Sequence, residues 1–366
     1  MRIKQKRTIG VDSTMSNQIE NNEIIKRRTS PRKLIITIII LFVVVGLVLL
    51  INSCTNKELE PIKELKILEK FKTFEGHSDF ITSVVLSPDG SYLASGSKDR
   101  TIKLWNTTTG EELKTLKGHT GGVHSVAFSP DGKIIASGGN DKTIKLWRVS
   151  DGNLIRTLVG HSDIVSSVVF YPSGRYVASV SRDMTVKLWD TKTGKELKTL
   201  RGHSGWIISI AISPDGRCLA SGSTDNRLIL WNAVTGEKIM TIRDLSGGVF
   251  SIAFSPEGKY LAYGNGDGSI KLINTMSGEE IKIFEVDQVY TSSVAFSPDG
   301  RYLASGRLNG GVILYNAITG EELKTLKTDD GLVGSVTFST DGRYFAYGLR
   351  IAKGNSTIEL FKVINE

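Results

Sequence analysis

Histidine, serine and aspartate recur through this 366-residue chain in sets with the composition of a nucleophilic catalytic triad. His77, Ser95 and Asp99 make the first set. His119, Ser137 and Asp141 follow, then His161, Ser179 and Asp183, then His203, Ser221 and Asp225, each displaced by 42 residues from the last. A serine activated by a histidine that an aspartate orients performs acyl transfer, but four identical active sites in one chain are implausible. Little else has the types for chemistry. The four sets use four of the five histidines, and the fifth, His124, reads as a surface residue rather than a general base. Two cysteines, Cys54 and Cys218, make neither a disulfide framework nor a C-x-x-C metal site, and no Cys/His/Asp cluster has metal spacing. No glycine-rich strand-loop-helix cradles phosphate. The expectation is a protein with no catalytic residue, no cofactor and no metal.

The spacing of those sets belongs to a longer repeat. "GHSDFITSVVLSPDGSYLASGSKDRTIKLWN" at residue 76 recurs as "GHTGGVHSVAFSPDGKIIASGGNDKTIKLWR" at 118 and "GHSDIVSSVVFYPSGRYVASVSRDMTVKLWD" at 160. A fourth copy starts at 202, and three weaker ones start at 244, 286 and 328, where the leading Gly-His has become Asp-Leu, Val-Asp and Thr-Asp. Within each unit, runs such as "ITSVVLS", "SYLASGS", "TIKLWN" and "EELKTLK" are rich in Val, Ile, Leu and Thr. They are too short for helices and are separated by Ser-Pro-Asp-Gly and Thr-Gly turns. Four strands make one small sheet that cannot bury both faces alone, so the seven sheets must stack radially around an axis.

These features resemble the WD-repeat β-propeller family, in a repeat that runs seven times in register over residues 67–366: the Gly-His start, the aspartate before the third strand and the tryptophan that ends it mark the first four copies together. The literal Trp-Asp pair occurs at Trp189-Asp190, whereas Asn106, Arg148 and Asn232 follow the other tryptophans. The resemblance implies that the histidine, serine and aspartate sets, with Trp105, Trp147, Trp189 and Trp231, form buried hydrogen-bonded chains that hold structure and catalyse nothing. The weaker copies lose the residues together. The fifth has Leu245, Tyr263 and Ile273, the seventh has Asp329, Tyr347 and Phe361, and the sixth keeps Ser305 beside Asp287, Asn309 and Tyr315. The last repeat stops after its third strand at "STIELFKVINE", while "KFKTFEGH" at residues 70–77 matches "ELKTLKGH" at 112–119. The strand before the first repeat should therefore complete the seventh blade, with Phe71 and Phe74 contributing burial.

The remaining fifth of the chain concerns membranes. Residues 34–51 are eighteen uncharged residues, sixteen of them Leu, Ile, Val or Phe, and as a helix they would span about 27 Å. Such a run favours insertion by up to about 5–10 kcal/mol. Residues 1–33 form a basic tail with nine Lys/Arg against three Asp/Glu, which accounts for most of the net charge of +8 and leaves a near-neutral body without a nucleic-acid groove. The expected order is a basic tail at 1–33, a transmembrane helix or signal anchor at 34–51, a linker at 52–66 and the propeller at 67–366. "INSC" places Cys54 directly after the apolar run and resembles a lipobox, so lipidation at Cys54 stays open beside the uncut span. Five Lys/Arg in the ten residues before the span, against one in the ten after it, put the N-terminus in the cytoplasm and the propeller on the non-cytoplasmic side of a single-pass protein.

The functional expectation is a membrane-tethered, monomeric propeller that scaffolds protein–protein interactions, with partners of unknown identity. The alternative is an anchored propeller that binds a small molecule or glycan in its channel, with hydrolysis open. The resemblance implies that partners dock on the top face, at positions four and six residues into each repeat and at the one before the turn aspartate. Here those positions supply Phe80, Lys98, Ile164, Arg182, Trp206, Ile208, Phe250 and Tyr290, with aromatics concentrated on blades four to six.

Overall fold

The computed structural model describes residues 68–243, 247–284, 289–308, 311–328, 331–351 and 356–364. The expected tail, membrane segment, linker and Cys54 lie outside the described residues. Among the described residues no helix is long and apolar enough to cross a membrane, and all regular structure is β.

Each repeat folds as one four-stranded antiparallel sheet, giving seven in all. In the first, β2 (Ile81–Leu86) lies innermost and β3 (Tyr92–Ser97), β4 (Thr101–Asn106) and β5 (Glu112–Lys117) follow outward in chain order. Turn chemistry sets these boundaries. In the Ser-Pro-Asp-Gly turn, Ser87 Oγ donates to Asp89 Oδ1 at 2.6 Å and accepts the Tyr92 N–H at 2.9 Å, while Gly90 takes φ 68°. At the opposite end, which we call the top, the chain reverses between β3 and β4 at Asp99–Arg100, and Thr101 donates both its N–H and its hydroxyl to Asp99.

No sheet owns a core. Val180, Val186 and Leu188 of the third blade pack with Ile207, Leu219 and Trp231 of the fourth in one buried cluster, and the other clusters likewise join neighbouring blades. The innermost strands touch in sequence around the ring, and the innermost strand of the last blade, β26 (Gly331–Phe338), returns to β2.

Every innermost strand carries the same bulge. Ile81 pairs with Ser97 and Ser83 with Gly96, which leaves Thr82 unpaired. The equivalent residues are His124, Ser166, Ile208, Phe250, Ser292 and Gly334. The next residue is serine in all seven repeats, from Ser83 to Ser335. These serines join blades: Ser83 accepts the Val126 N–H at 3.1 Å, Ser125 that of Val168 at 3.2 Å, Ser251 that of Val294 at 2.9 Å and Ser293 that of Val336 at 3.1 Å. Ser335 accepts the Val84 N–H at 3.2 Å and so carries the series across the ring junction. An innermost strand has one unpaired edge whose N–H groups need partners, and the neighbouring blade provides them.

The expected closure is present. β1 (Leu68–His77) pairs antiparallel with β28 (Ser356–Val363), from Leu68 opposite Val363 to His77 opposite Ser356, and completes the sheet containing β26 and β27 (Tyr344–Ile351). Phe74 is fully buried, whereas Phe71 is half-buried and stacks on Tyr344 with ring centroids 6.1 Å apart. Polar contacts lock the register, since Glu359 receives Lys70 Nζ at 2.7 Å and the Thr73 hydroxyl at 3.1 Å. Deleting residues 68–75 should lower the melting temperature by about 10 °C or more, read by calorimetry of the full-length chain. An unchanged melt would mean that the ring closes without this strand.

Candidate interaction surface

In each of the first four blades the triad-like residues form one buried chain with tryptophan. Trp105 Nε1 donates to Ser95 Oγ at 2.9 Å, Ser95 Oγ lies 2.8 Å from His77 Nε2, and His77 Nδ1 lies 2.7 Å from Asp99 Oδ2. Trp147–Ser137–His119–Asp141, Trp189–Ser179–His161–Asp183 and Trp231–Ser221–His203–Asp225 repeat it with contacts of 2.7–3.0 Å. Chemistry sets the direction. An indole can only donate and an ionised carboxylate can only accept, so the serine and a neutral histidine relay hydrogen bonds one way between them. Burial pushes the His203 pKa down, which favours the neutral ring.

The four serines are fully buried, so no substrate carbonyl reaches them. Burial alone would raise the Asp99 carboxyl, but hydrogen bonds from His77 and Thr101 outweigh it and hold the group well below the usual carboxylate range. Asp141 and Asp183 are held low in the same way by His119 and His161. Each aspartate also accepts a backbone N–H from the residue after its histidine, as Asp99 Oδ2 does from Ser78 at 3.2 Å. The chain thus ties the top loop, the β3–β4 turn and the tryptophan strand of one blade together.

Where the chain is missing, apolar packing replaces it. Tyr263 and Ile273 are buried in the fifth blade, and Tyr347 stacks on Phe361 at 5.6 Å in the seventh. In the sixth, Tyr315 stands in the tryptophan position with its ring against Phe284 at 5.2 Å, and burial pushes its phenol up. Leu245, Asp287, Asn309 and Asp329 lie outside the described residues.

The partner-position residues gather at the top end. The bulged residues project there from the innermost strands, and the residues before the turn aspartates rim them. Trp206 is 47% exposed, and the Arg182 guanidinium lies over its ring at 4.6 Å. Tyr290 is 50% exposed and meets half-buried Phe250 edge-on at 5.7 Å. Half-buried Phe80 lies beneath Lys98 at 5.5 Å and Arg350 at 5.9 Å. Ile164 and Ile208 are half-buried. His124 Nε2 is 2.6 Å from Asn140 Oδ1, and burial, with Lys98 and Arg182 nearby, pushes its pKa down. The aromatics therefore form three groups, Phe80 with Lys98 and Arg350, Trp206 with Arg182, and Phe250 with Tyr290.

Sequence reasoning missed two features. The interblade serines were visible as an unbroken column at one repeat position. Tyr171 was visible as the residue replacing the serine of the Ser-Pro-Asp-Gly turn. Its hydroxyl donates to Ala233 O in the next blade at 2.9 Å, beside a cavity of about 330 Å³ lined by Tyr176, Leu197 and Val234 at the end opposite the top.

A family model described as the WDR3 first beta-propeller domain matches residues 56–233, and one described as the IFT122 first beta-propeller matches residues 180–363, half of the chain. The chain belongs to the WD-repeat β-propeller family. Individual relatives match this WD-repeat propeller over short segments. The transcriptional repressor rco-1 of Neurospora crassa is 56% identical over 39 residues, covering 11% of this chain and 6% of its own. The transcriptional repressor tup12 of Schizosaccharomyces pombe is 63% identical over 35 residues, 10% of this chain and 6% of its own. A ribosome biogenesis protein BOP1 homolog of Drosophila virilis is 39% identical over 54 residues, 15% of this chain and 6% of its own. The propeller thus matches about one-twentieth of the length of each of these relatives.

The depressed aspartates give a pH prediction. Each carboxyl has a lower pKa folded than its ordinary value of 3.8, so its stabilisation is complete above that pH and is lost as pH falls through 3.8 toward the folded value. Asp141→Asn should cost about 1–3 kcal/mol at neutral pH and make the acid limb of melting temperature against pH shallower than in the parent. An acid limb of unchanged slope would show that these aspartates are not the groups that titrate.

Proposed function

We propose that the chain is a membrane-tethered protein-interaction scaffold that receives its partner on the top face of the propeller. One observation carries this reading: the side chains with catalytic types are buried and consumed in structural chains, whereas the top end presents Trp206 half-exposed beneath Arg182 and Tyr290 half-exposed against Phe250. Trp, Tyr and Arg clustered on one surface are the types that dominate binding at protein interfaces. The relatives are named for transcriptional repression and ribosome biogenesis, and neither name states a reaction.

The tether in this proposal is the apolar run at 34–51, with Cys54 as an alternative lipid attachment. The basic residues in front of that run favour a cytoplasmic N-terminus and a propeller on the other side. Protease added outside intact cells or spheroplasts should then digest the propeller, whereas complete protection would reverse the topology.

Trp206→Ala should weaken partner capture by about 2 kcal/mol or more without altering the melt, measured by crosslinking in intact membranes and quantifying the captured protein. Lys192→Ala, exposed at the opposite end of the ring, should change it negligibly. Equal, negligible losses from both would remove the top-face site.

A further inference from the structure

Among the described residues, the top end carries three cations without an ion-pair partner. Lys98 and Arg182 stand before the turn aspartates of the first and third blades, and Arg350 lies at the corresponding end of the seventh. Among the described ion pairs none of the three takes part, and the buried Arg182 Nε has no hydrogen-bond partner. Each cation rests on an aromatic ring instead, Lys98 and Arg350 on Phe80 and Arg182 on Trp206. Such a contact holds a cation in place while leaving its N–H donors free for a ligand.

Arg182 and Lys98 both lie close enough to act on His124, whose pKa is lowered first by burial and then by these two charges. Among the described acids of this face, none forms an ion pair with these three cations. Asp79 accepts the Phe80 N–H at 2.6 Å and Asp163 the Ile164 N–H at 2.7 Å, while Asp99, Asp141 and Asp183 clamp their histidines. Positive charge therefore runs from the seventh blade through the first to the third, and Trp206 and the Phe250–Tyr290 pair adjoin it with apolar surface.

We propose that this arc selects an acidic peptide segment of the partner, whose carboxylates meet Lys98, Arg182 and Arg350 and whose apolar side chain packs against Trp206. The inference rests on the top-face reading above and names the chemistry of its partner. A peptide fits better than a nucleic acid. Three cations rim a mouth rather than tracking a strand, and beyond residue 33 the chain holds 37 Lys/Arg against 35 Asp/Glu, from totals of 46 and 38 less the nine and three in the tail.

The test uses the full-length chain in detergent and three fluorescein-labelled twelve-residue peptides that differ only in the residues around a central phenylalanine, all glutamate, all serine or all lysine. Fluorescence anisotropy should show the glutamate peptide binding about tenfold or more tighter than the serine peptide, and the lysine peptide weakest. Lys98→Gln with Arg182→Gln should bring the ratio of glutamate-peptide to serine-peptide affinity to about one and leave the melt unchanged. Equal affinity for glutamate and serine peptides, an undiminished advantage in the double variant, no glutamate-peptide binding at about 1 mM, or tighter binding of a twelve-nucleotide single strand would each overturn the proposal. Partner crosslinking with Trp206→Ala separates the two levels. If the charge preference is absent but that variant still loses its partner, acid selectivity fails and the top-face reading stands; if the variant keeps its partner, the top-face reading fails too.

Discussion

A four-stranded sheet with two apolar faces has no stable existence alone, and that constraint organises this molecule. Each buried cluster is shared by two blades, so every sheet depends on a neighbour at both faces. Only a closed ring satisfies all seven. Closure falls on the pairing of Leu68–His77 with Ser356–Val363, which joins the two ends of the propeller sequence. The Lys70–Glu359 pair and Phe74 fix its register at one polar and one apolar point. The unpaired edge of each innermost strand is met at the same time, because the bulge that displaces Thr82 and its equivalents turns the following serine toward the next blade. One irregularity therefore joins blades twice: the serine after it satisfies edge N–H groups, and at Thr82 and Ser292 the bulged hydroxyl itself donates to Val123 O and Val333 O of the next blade.

The buried chains show how residue types mislead when direction is ignored. Serine, histidine and aspartate at hydrogen-bonding distance describe both a hydrolase and this propeller. The tryptophan decides between them, since its N–H occupies the serine oxygen and the serine proton is committed to the histidine. A buried polar network is stabilising when every member is satisfied and costly when one is lost. That explains why the fifth and seventh blades lack the histidine and tryptophan together and fill the space with Tyr263 and Ile273, or with Tyr347 against Phe361.

Much of this was legible in the sequence. The 42-residue period, the turn glycines and the missing last strand led to seven blades and to the closing strand, because each is a local signal repeated in register. What escaped was nonlocal. Ser83 and its equivalents stood in an unbroken column, yet their partners lie in another blade across a free edge that no single repeat reveals. Tyr171 replaces the turn serine of the third repeat, and its hydroxyl reaches Ala233 in the next blade. At the top face the sequence placed Trp206, Ile208, Phe250 and Tyr290 together, while side-chain packing divides the aromatics between Arg182 and the Phe250–Tyr290 pair. That division follows from rotamers and neighbouring charge, which repeat position alone does not specify.

In the proposed scaffold the working surface is the mouth at the top of the ring, around the bulged residues. Differential hydrogen–deuterium exchange of the full-length chain, free and crosslinked to its captured partner, tests this most directly. New protection is expected over residues 78–82, 122–124, 164–166, 206–208 and 290–292, with none at the opposite turns 87–90, 129–132 and 171–174. Protection confined to those opposite turns, or to the outer strands, would contradict it.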